Sequence, residues 1–450
     1  MTDSETVTYP PKKNTEQKLS FYEYLYVFVL IIYAANATKL VNATSITDTP
    51  LEVLIPVILS GILALKWKIV IDRQFYYVII GFFVYFIAIS AKFSDFRPTY
   101  FVFYFLQFFV IYCTVRSLKI KLFKLFEDIV FYLTIIGMAI WIVQIILGGD
   151  TLYGYFRMVT FIREYSSVSQ DGLNAIIYSI QPAVNSLIYS DILPRNSGFA
   201  WEPGVFAVFI CLSLFCNLFI NNTKGKTGWR FWIFSLALIS TQSTTGYLTY
   251  LVIVFYYMYN KMSRVVLLLF PVILAVLVMI FSLPFMSNKI VRLINETNEL
   301  DAMVVRTIGR QGEAYTPQRF SSLLITMIDF KNNPVLGLGG KVDEGWTMKI
   351  GARISPITGI GNLLAQFGIV GCTFFVLSTL ASSLYFARYL KMNIRFLLFI
   401  IIIFTSISYS MIFFPLIMSF WMFRLFTLPD KSPAVTTHTD EQLELALEES

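Results

Sequence analysis

Charge is what this chain has least of. Asp, Glu, Lys and Arg make up 14% of its 450 residues and hydrophobic residues 56%, whereas a soluble globular domain carries about 25% charged residues. That deficit excludes a soluble globular or disordered class and leaves a polytopic membrane protein. Histidine occurs once, as His438 in a polar tail, so neither a histidine metal cluster nor a catalytic histidine belongs to the apolar body. Cys113, Cys211, Cys216 and Cys372 all lie inside apolar runs, without pairing or metal-ligand spacing, and read as small core residues. No cleavable signal peptide is expected, because the first 20 residues are polar and include Lys12, Lys13 and Lys18. No Asp-rich motif calls for a metal, and no cofactor is expected. The net charge of +7 is not a nucleic-acid signal, because the basic residues sit mostly in short linkers between apolar runs.

What is abundant is apolar and aromatic, with 43 Phe and 26 Tyr. Apolar runs cover about 21–37, 51–65, 75–91, 100–115, 126–147, 203–220, 231–241, 247–259, 265–285, 360–386 and 396–426. The last is too long for one span at a rise of about 1.5 Å per residue. Thr405-Ser406-Ile407-Ser408 and Pro415 divide it in two. The expected fold is an all-α polytopic integral membrane protein of about 12 transmembrane helices. A cytoplasmic segment, 1–20, precedes the membrane domain, 21–427. Two large extracytoplasmic loops cover about 148–202 and 286–356, and 428–450 form a tail rich in acid (Asp440, Glu441, Glu444, Glu448, Glu449).

Orientation follows from the linkers. Those after runs two, four, six, eight and ten carry Lys66, Lys68 and Arg73; Arg116, Lys119, Lys121 and Lys124; Lys224, Lys226 and Arg230; Lys261 and Arg264; Arg388, Lys391 and Arg395. The intervening short linkers carry only Lys39, then Lys92 and Arg97. The alternation puts the basic set in the cytoplasm and both long polar stretches outside. In the first stretch, Ile176, Ile177, Ile180, Val184, Leu187 and Ile188 recur at helical spacing and predict an interfacial helix. In the second, Phe320, Leu323, Leu324, Met327 and Ile328 mark one face of a helix between Pro317 and Asn333-Pro334. After it, Gly337 and Gly339 make a backbone turn that can approach a ligand closely.

The candidate chemistry lies at the edges of these elements. Residues 195–207 read RNSGFAWEPGVFA, with Arg195 and Glu202 where a polar stretch meets an apolar run. An ionised side chain is costly near hydrocarbon and needs a reason. Arg157, Arg163 and Arg195 lie in the first loop, and Arg306, Arg310, Arg319 and Arg353 in the second. Guanidinium forks match phosphate oxygens and stay charged, so a cluster drawn from both loops would suit the diphosphate of a lipid carrier. The plainer reading is loop charges paired with Glu164, Asp171, Glu296 or Glu313. Glu202 can accept a proton from a sugar hydroxyl or orient an arginine; equally, it can be an acid at a helix start, ahead of Pro203. Asn362 can bond a substrate or a neighbouring helix. The Ser243-Thr244-Thr245-Gly246 string can touch the carrier or simply make a tight outer turn.

Several strings resemble bacterial O-antigen and capsular polysaccharide polymerases of the Wzy type, in the O-antigen ligase/polymerase superfamily. They are Arg-x-x-Gly-Phe-x-x-Glu-Pro-Gly-x-x-Ala (195–207), Ser243-Thr244-Thr245-Gly246, Asn333-Pro334-x-x-Gly-x-Gly, and Gly361-Asn362-Leu363-Leu364 with Gly368 and Gly371. The resemblance covers roughly 20–425 in layout. It implies a GT-C-like, metal-independent glycosyltransferase in the bacterial inner membrane, acting on undecaprenyl-diphosphate-linked oligosaccharides, with a chain-length regulator as a further partner. Glu202, Arg195 and Arg319 would then be catalytic, and Arg157, Arg163, Arg310, Gly337, Gly339 and Asn362 would bind substrate. Related ligases carry a histidine in the second loop, where this chain has Gly359-Ile360-Gly361 before Asn362. That departure favours a polymerase over a ligase and leaves the general base open, with Glu202 the best candidate. A flippase would show two similar halves or charges at mid-span, and the sequence shows neither.

Overall fold

The computed structural model describes residues 20–35, 54–158, 163–167, 170–180, 193–221, 226–261, 304, 317, 319–341, 344–352, 354 and 356–427. The run at 265–285 and Arg306, Arg310 and Arg353 lie outside the described residues, as do the predicted segments 1–19 and 428–450.

The chain is a helical membrane protein. Among the described residues, five helices are long and apolar enough to cross a bilayer: α3 (Arg73–Phe93), α4 (Pro98–Leu118), α5 (Lys121–Leu147), the Pro203–Ile220 helix, and the long helix Gly359–Leu390. Shorter apolar helices α1 (Phe21–Ala34), α2 (Leu54–Lys66) and Leu397–Ser408 accompany them. Exposed Ile80, Val84, Trp232, Ile239 and Leu377 show apolar side chains outward, as a bilayer requires and water does not.

After α5 come α6 (Gly149–Arg157) and an antiparallel sheet of β1 (Arg163–Ser167), β2 (Gln170–Ala175) and β3 (Tyr178–Ile180). α7 (Pro203–Phe215) continues as a π-helical turn, Cys216–Ile220. α8 (Lys226–Thr241) and α9 (Thr244–Lys261) follow, then α10 (Arg319–Asn332), α11 (Trp346–Lys349) and α12 (Gly359–Leu390). The last apolar run divides as expected, into α13 (Leu397–Ser408), a 3₁₀ turn Ser410–Phe413, α14 (Pro415–Trp421) and α15 (Phe423–Phe426). Pro415 opens α14 at a position where its missing N–H costs nothing.

α7 is the axis. Its sequence is apolar all round, which suits only a helix surrounded by others. With its π-helical turn, the Pro203–Ile220 helix is 94% buried, against 17% for the most apolar stretch of α3. It packs on α5, α8, α9 and α13. Where small hydroxyl side chains meet, helices are bonded across: Tyr26 Oη lies 2.9 Å from Ser60 Oγ and 2.6 Å from Thr114 Oγ1, joining α1, α2 and α4.

One expectation changes here, and another gains detail. The helix predicted over 176–188 begins instead as a hairpin. Ile176 takes a left-handed φ of 50° between β2 and β3, and the Ser179 N–H donates to the Gly198 carbonyl at 2.7 Å. Tyr178 and Ile180 are buried, and the Tyr178 hydroxyl donates to Gln144. The isoleucine spacing was real, but tertiary contacts from α5 and the 195–200 loop override it. The remainder of that prediction, 181–188, lies outside the described residues. In α10 the helix is as expected, but the buried face is Ser321, Ser322, Ile325, Thr326 and Asp329, while Phe320 is exposed. Small residues let α10 approach α12 closely: a Cβ on Gly361 would strike Thr326.

Candidate functional site

One end of the bundle gathers residues from five parts of the chain. Glu202 is the N-cap of α7, with Pro203 behind it. Its carboxylate makes no cap hydrogen bond and turns instead to Arg319 at the start of α10, with Nη2 3.5 Å from Oε2. The same guanidinium donates through Nε to the Ser408 carbonyl at 3.0 Å and through Nη2 to the Tyr409 hydroxyl. It also lies over the Tyr409 ring, 4.3 Å from the centroid. The Ser408 carbonyl is available because α13 ends there.

Tyr409 sits in the break between α13 and α14 and is buried, its phenol held well above the ordinary tyrosine range by burial. Arg319 and Arg195 both act on it electrostatically in the opposite sense, and the Glu202 carboxylate reinforces burial. Its hydroxyl thus lies against the Arg319 guanidinium and near the Glu202 carboxylate. Two glycines make its seat. A Cβ on Gly204 would strike the Tyr409 hydroxyl, and one on Gly359 would strike the Ser406 and Tyr409 carbonyls. The Glu-Pro-Gly turn thus places an acid and removes a side chain within three residues.

Arg195 donates from Nε to the Thr241 carbonyl at 3.1 Å and from Nη2 to the Gln242 carbonyl at 3.4 Å. These carbonyls belong to the tight α8–α9 turn, where Gln242 has a φ of 50°. The Thr245 hydroxyl, one residue into α9, lies 2.7 Å from Ser408 Oγ, tying that turn to the Tyr409 break. Asn362 donates to the Pro356 carbonyl at 3.2 Å and to Ser410 Oγ at 2.9 Å. Trp201 stands edge-on to Tyr409, centroids 6.4 Å apart. The ion pair stays open: the side chains of Arg319 and Glu202 are 29% and 35% exposed.

Glu202 and Arg319 therefore meet at Tyr409, with Arg195 near enough to act on it electrostatically and Asn362 bonded to the next residue, Ser410. Arg157 ends α6 and is exposed. Arg163 opens β1 opposite Asn174, and its side chain is not among the described ones; Arg310 is outside the described residues. Gly337 and Gly339 serve the protein's own chain. α12 breaks at Gly368 (φ 61°, ψ −159°), and the freed groups need partners. The Ala365 and Gln366 carbonyls accept from the N–H groups of Leu338 and Gly339 at 2.9 and 2.6 Å. The N–H groups of Ile369 and Val370 donate to the Pro334 and Val335 carbonyls. A Cβ on Gly337 would meet the Gln366 backbone, and one on Gly339 would meet Ile89. The cleft beside Gly339 measures about 20 Å³, room for about one water and not for a sugar ring.

Tyr409 is the residue that sequence reasoning missed. Its signal was the polar Thr405–Ser408 break, which marks a place where backbone groups lie exposed inside an apolar run. This chain matches no family model, no curated protein and no solved structure.

Proposed function

We propose that this chain is a bacterial polysaccharide polymerase of the inner membrane, joining undecaprenyl-diphosphate-linked oligosaccharide repeat units on the outer face by metal-independent glycosyl transfer. The observation that carries this reading is the meeting of Glu202 and Arg319 at Tyr409, with Arg195 on the adjoining α8–α9 turn, at the end of the bundle away from most basic linkers. An exposed ion pair contributes about 0–1 kcal/mol to stability, so stability alone is a weak reason to hold these charges at a membrane edge.

In this reading, the donor's diphosphate sits against Arg195 and Arg319, whose fixed positive charge stabilises it as it leaves. The acceptor hydroxyl oxygen attacks the anomeric carbon. A new C–O glycosidic bond forms, and the bond from that carbon to the diphosphate oxygen breaks. The electron pair goes with undecaprenyl diphosphate, and the hydroxyl proton goes to Glu202. The 3.5 Å contact between Arg319 and Glu202 is long enough to exchange for substrate contacts. Tyr409 keeps Arg319 in place as Glu202 takes up its proton. Asn362, bonded to Ser410 next to Tyr409, borders the acceptor side.

The test is the lipid-linked glycan profile of a deletion strain complemented with wild type, Arg195→Ala or Glu202→Gln. Single repeat units in the deletion, a full ladder with wild type, and a loss of about 10²-fold or more in the variants support the reading. Long polymer accumulating on the carrier in the deletion would make the protein a ligase. Repeat units retained on the cytoplasmic face would make it a transporter. Glu202→Asp should keep more activity than Glu202→Gln; equal, mild losses would reduce Glu202 to a helix-end acid.

A further inference from the structure

The opposite end of the bundle carries a second feature, independent of the proposed reaction. Between α12 and α13 lies an open cleft of about 670 Å³, lined by Leu384, Arg388, Lys391, Met392, Asn393 and Arg395. Its volume falls within the usual range for small-molecule sites, about 300–1,000 Å³. Arg388, Lys391 and Arg395 are exposed, and among the described residues no carboxylate pairs with any of them.

The turn that holds them is firmly built. The Asn393 N–H donates to Asn260 Oδ1 of α9 at 2.8 Å, Ile394 is buried, and the Phe399 N–H donates to Ser383 Oγ at 3.3 Å. Lys391 is the C-cap of α12 with a left-handed φ of 53°, a conformation that favours glycine. A lysine there gives up local backbone comfort and supplies an ammonium that glycine would not. Tyr389 and Phe396, each next in sequence to an arginine of the cleft, are about half exposed at 49% and 50%, as side chains at the headgroup level of a bilayer are. Leu384 and Met392 give the cleft apolar wall.

We infer that this cleft binds the phosphate of an anionic phospholipid headgroup, with Arg388, Lys391 and Arg395 as its ligands and the acyl chains lying over Tyr389 and Phe396. Three cations that no described carboxylate pairs, around an apolar-walled cleft at a membrane edge, match a phosphodiester joined to hydrocarbon. They match a free anion less well, since it has no use for the aromatic flank.

The test is thermal melting of the full-length chain, purified in a zwitterionic detergent and titrated with phosphatidylglycerol, phosphatidylcholine or inorganic phosphate. Phosphatidylglycerol should raise the melting temperature of the wild type, and phosphatidylcholine should not. Apparent affinity should fall about fivefold per cation removed, and about a hundredfold in Arg388→Ala/Lys391→Ala/Arg395→Ala. Lys391→Gly separates binding from folding: it relieves the left-handed strain, so it should melt no lower than wild type without lipid, yet bind phosphatidylglycerol about fivefold more weakly. An equal response to phosphatidylcholine, or a triple variant that responds like wild type, overturns the proposal. So does inorganic phosphate alone giving the full shift, which would assign the cleft to a free anion. A response appearing only after 428–450 are removed would assign it to the acidic tail instead.

Discussion

Each end of the helical bundle holds an arginine against carboxylates, and the two arrangements are built for different ends. Away from Glu202, Arg230 bonds Glu127 at 3.1 Å and Asp128 at 2.6 Å. Asn217, on the π-helical turn of α7, and Asn221, which caps it, donate to the two Glu127 oxygens at 2.7 and 2.5 Å. Tyr24 donates to Asp128 at 3.3 Å, and Arg230 lies on the Phe131 ring. The side chains of Glu127 and Arg230 are 2% and 14% exposed. Every charge there has several partners, and one cluster pins α1, α5, α7 and α8. Around Glu202 there is one longer ion pair, about a third exposed, beside a neutral buried phenol. A buried cluster whose carboxylates each hold two or more partners leaves little contact for a ligand, whereas a half-open pair can exchange its contact for one. The comparison teaches that a charge near a membrane edge is informative through the completeness of its partners more than through its presence.

Breaking the closed end should give the largest effect on folding. Arg230→Ala leaves two buried carboxylates sharing no cation, at a cost of about 3–5 kcal/mol. The expected result is a marked loss of folded protein in membranes and a lower melting temperature in detergent, with normal activity per folded molecule. Arg319→Ala should do the reverse, losing about 10²–10³-fold in chain extension while melting close to wild type. Gly204→Ala should come next. The added methyl meets the Tyr409 hydroxyl, an overpacking worth about 1–3 kcal/mol. Combining it with Tyr409→Phe should recover part of that stability, which a thermal double-mutant cycle would register. Arg157→Ala, on an exposed helix end, should change activity and stability least, by about twofold at most.

Much of this could be read from the residues. Glu202, Arg195 and Arg319 stood out because charge is scarce and each borders an apolar run. The division of the last run was visible in Thr405–Ser408 and Pro415. Tyr409 was not, because one tyrosine among 26 in a chain rich in interfacial aromatics carries no mark until the fold places it under Arg319. Gly337 and Gly339 were rightly singled out as close-approach positions, but the sequence does not say what approaches. The break at Gly368, which creates the demand, looks like any glycine in an apolar helix. The hairpin at 176–180 was hidden because its isoleucines also fit a helical period, and the bonds that decide between the two come from Gln144 and Gly198, far along the chain. The residues that α10 buries were not legible either, because the close contact with α12 uses small side chains, while Leu323, Leu324, Met327 and Ile328 of the apolar face are only half-buried.

The measurement that tests the central claim most directly compares the lipid-linked glycan ladders of Arg319→Ala and Arg230→Ala at matched amounts of folded protein. The expected result is single repeat units with Arg319→Ala and a wild-type ladder with Arg230→Ala. A normal ladder from Arg319→Ala, or a lost one from well-folded Arg230→Ala, would place the working end of the molecule elsewhere.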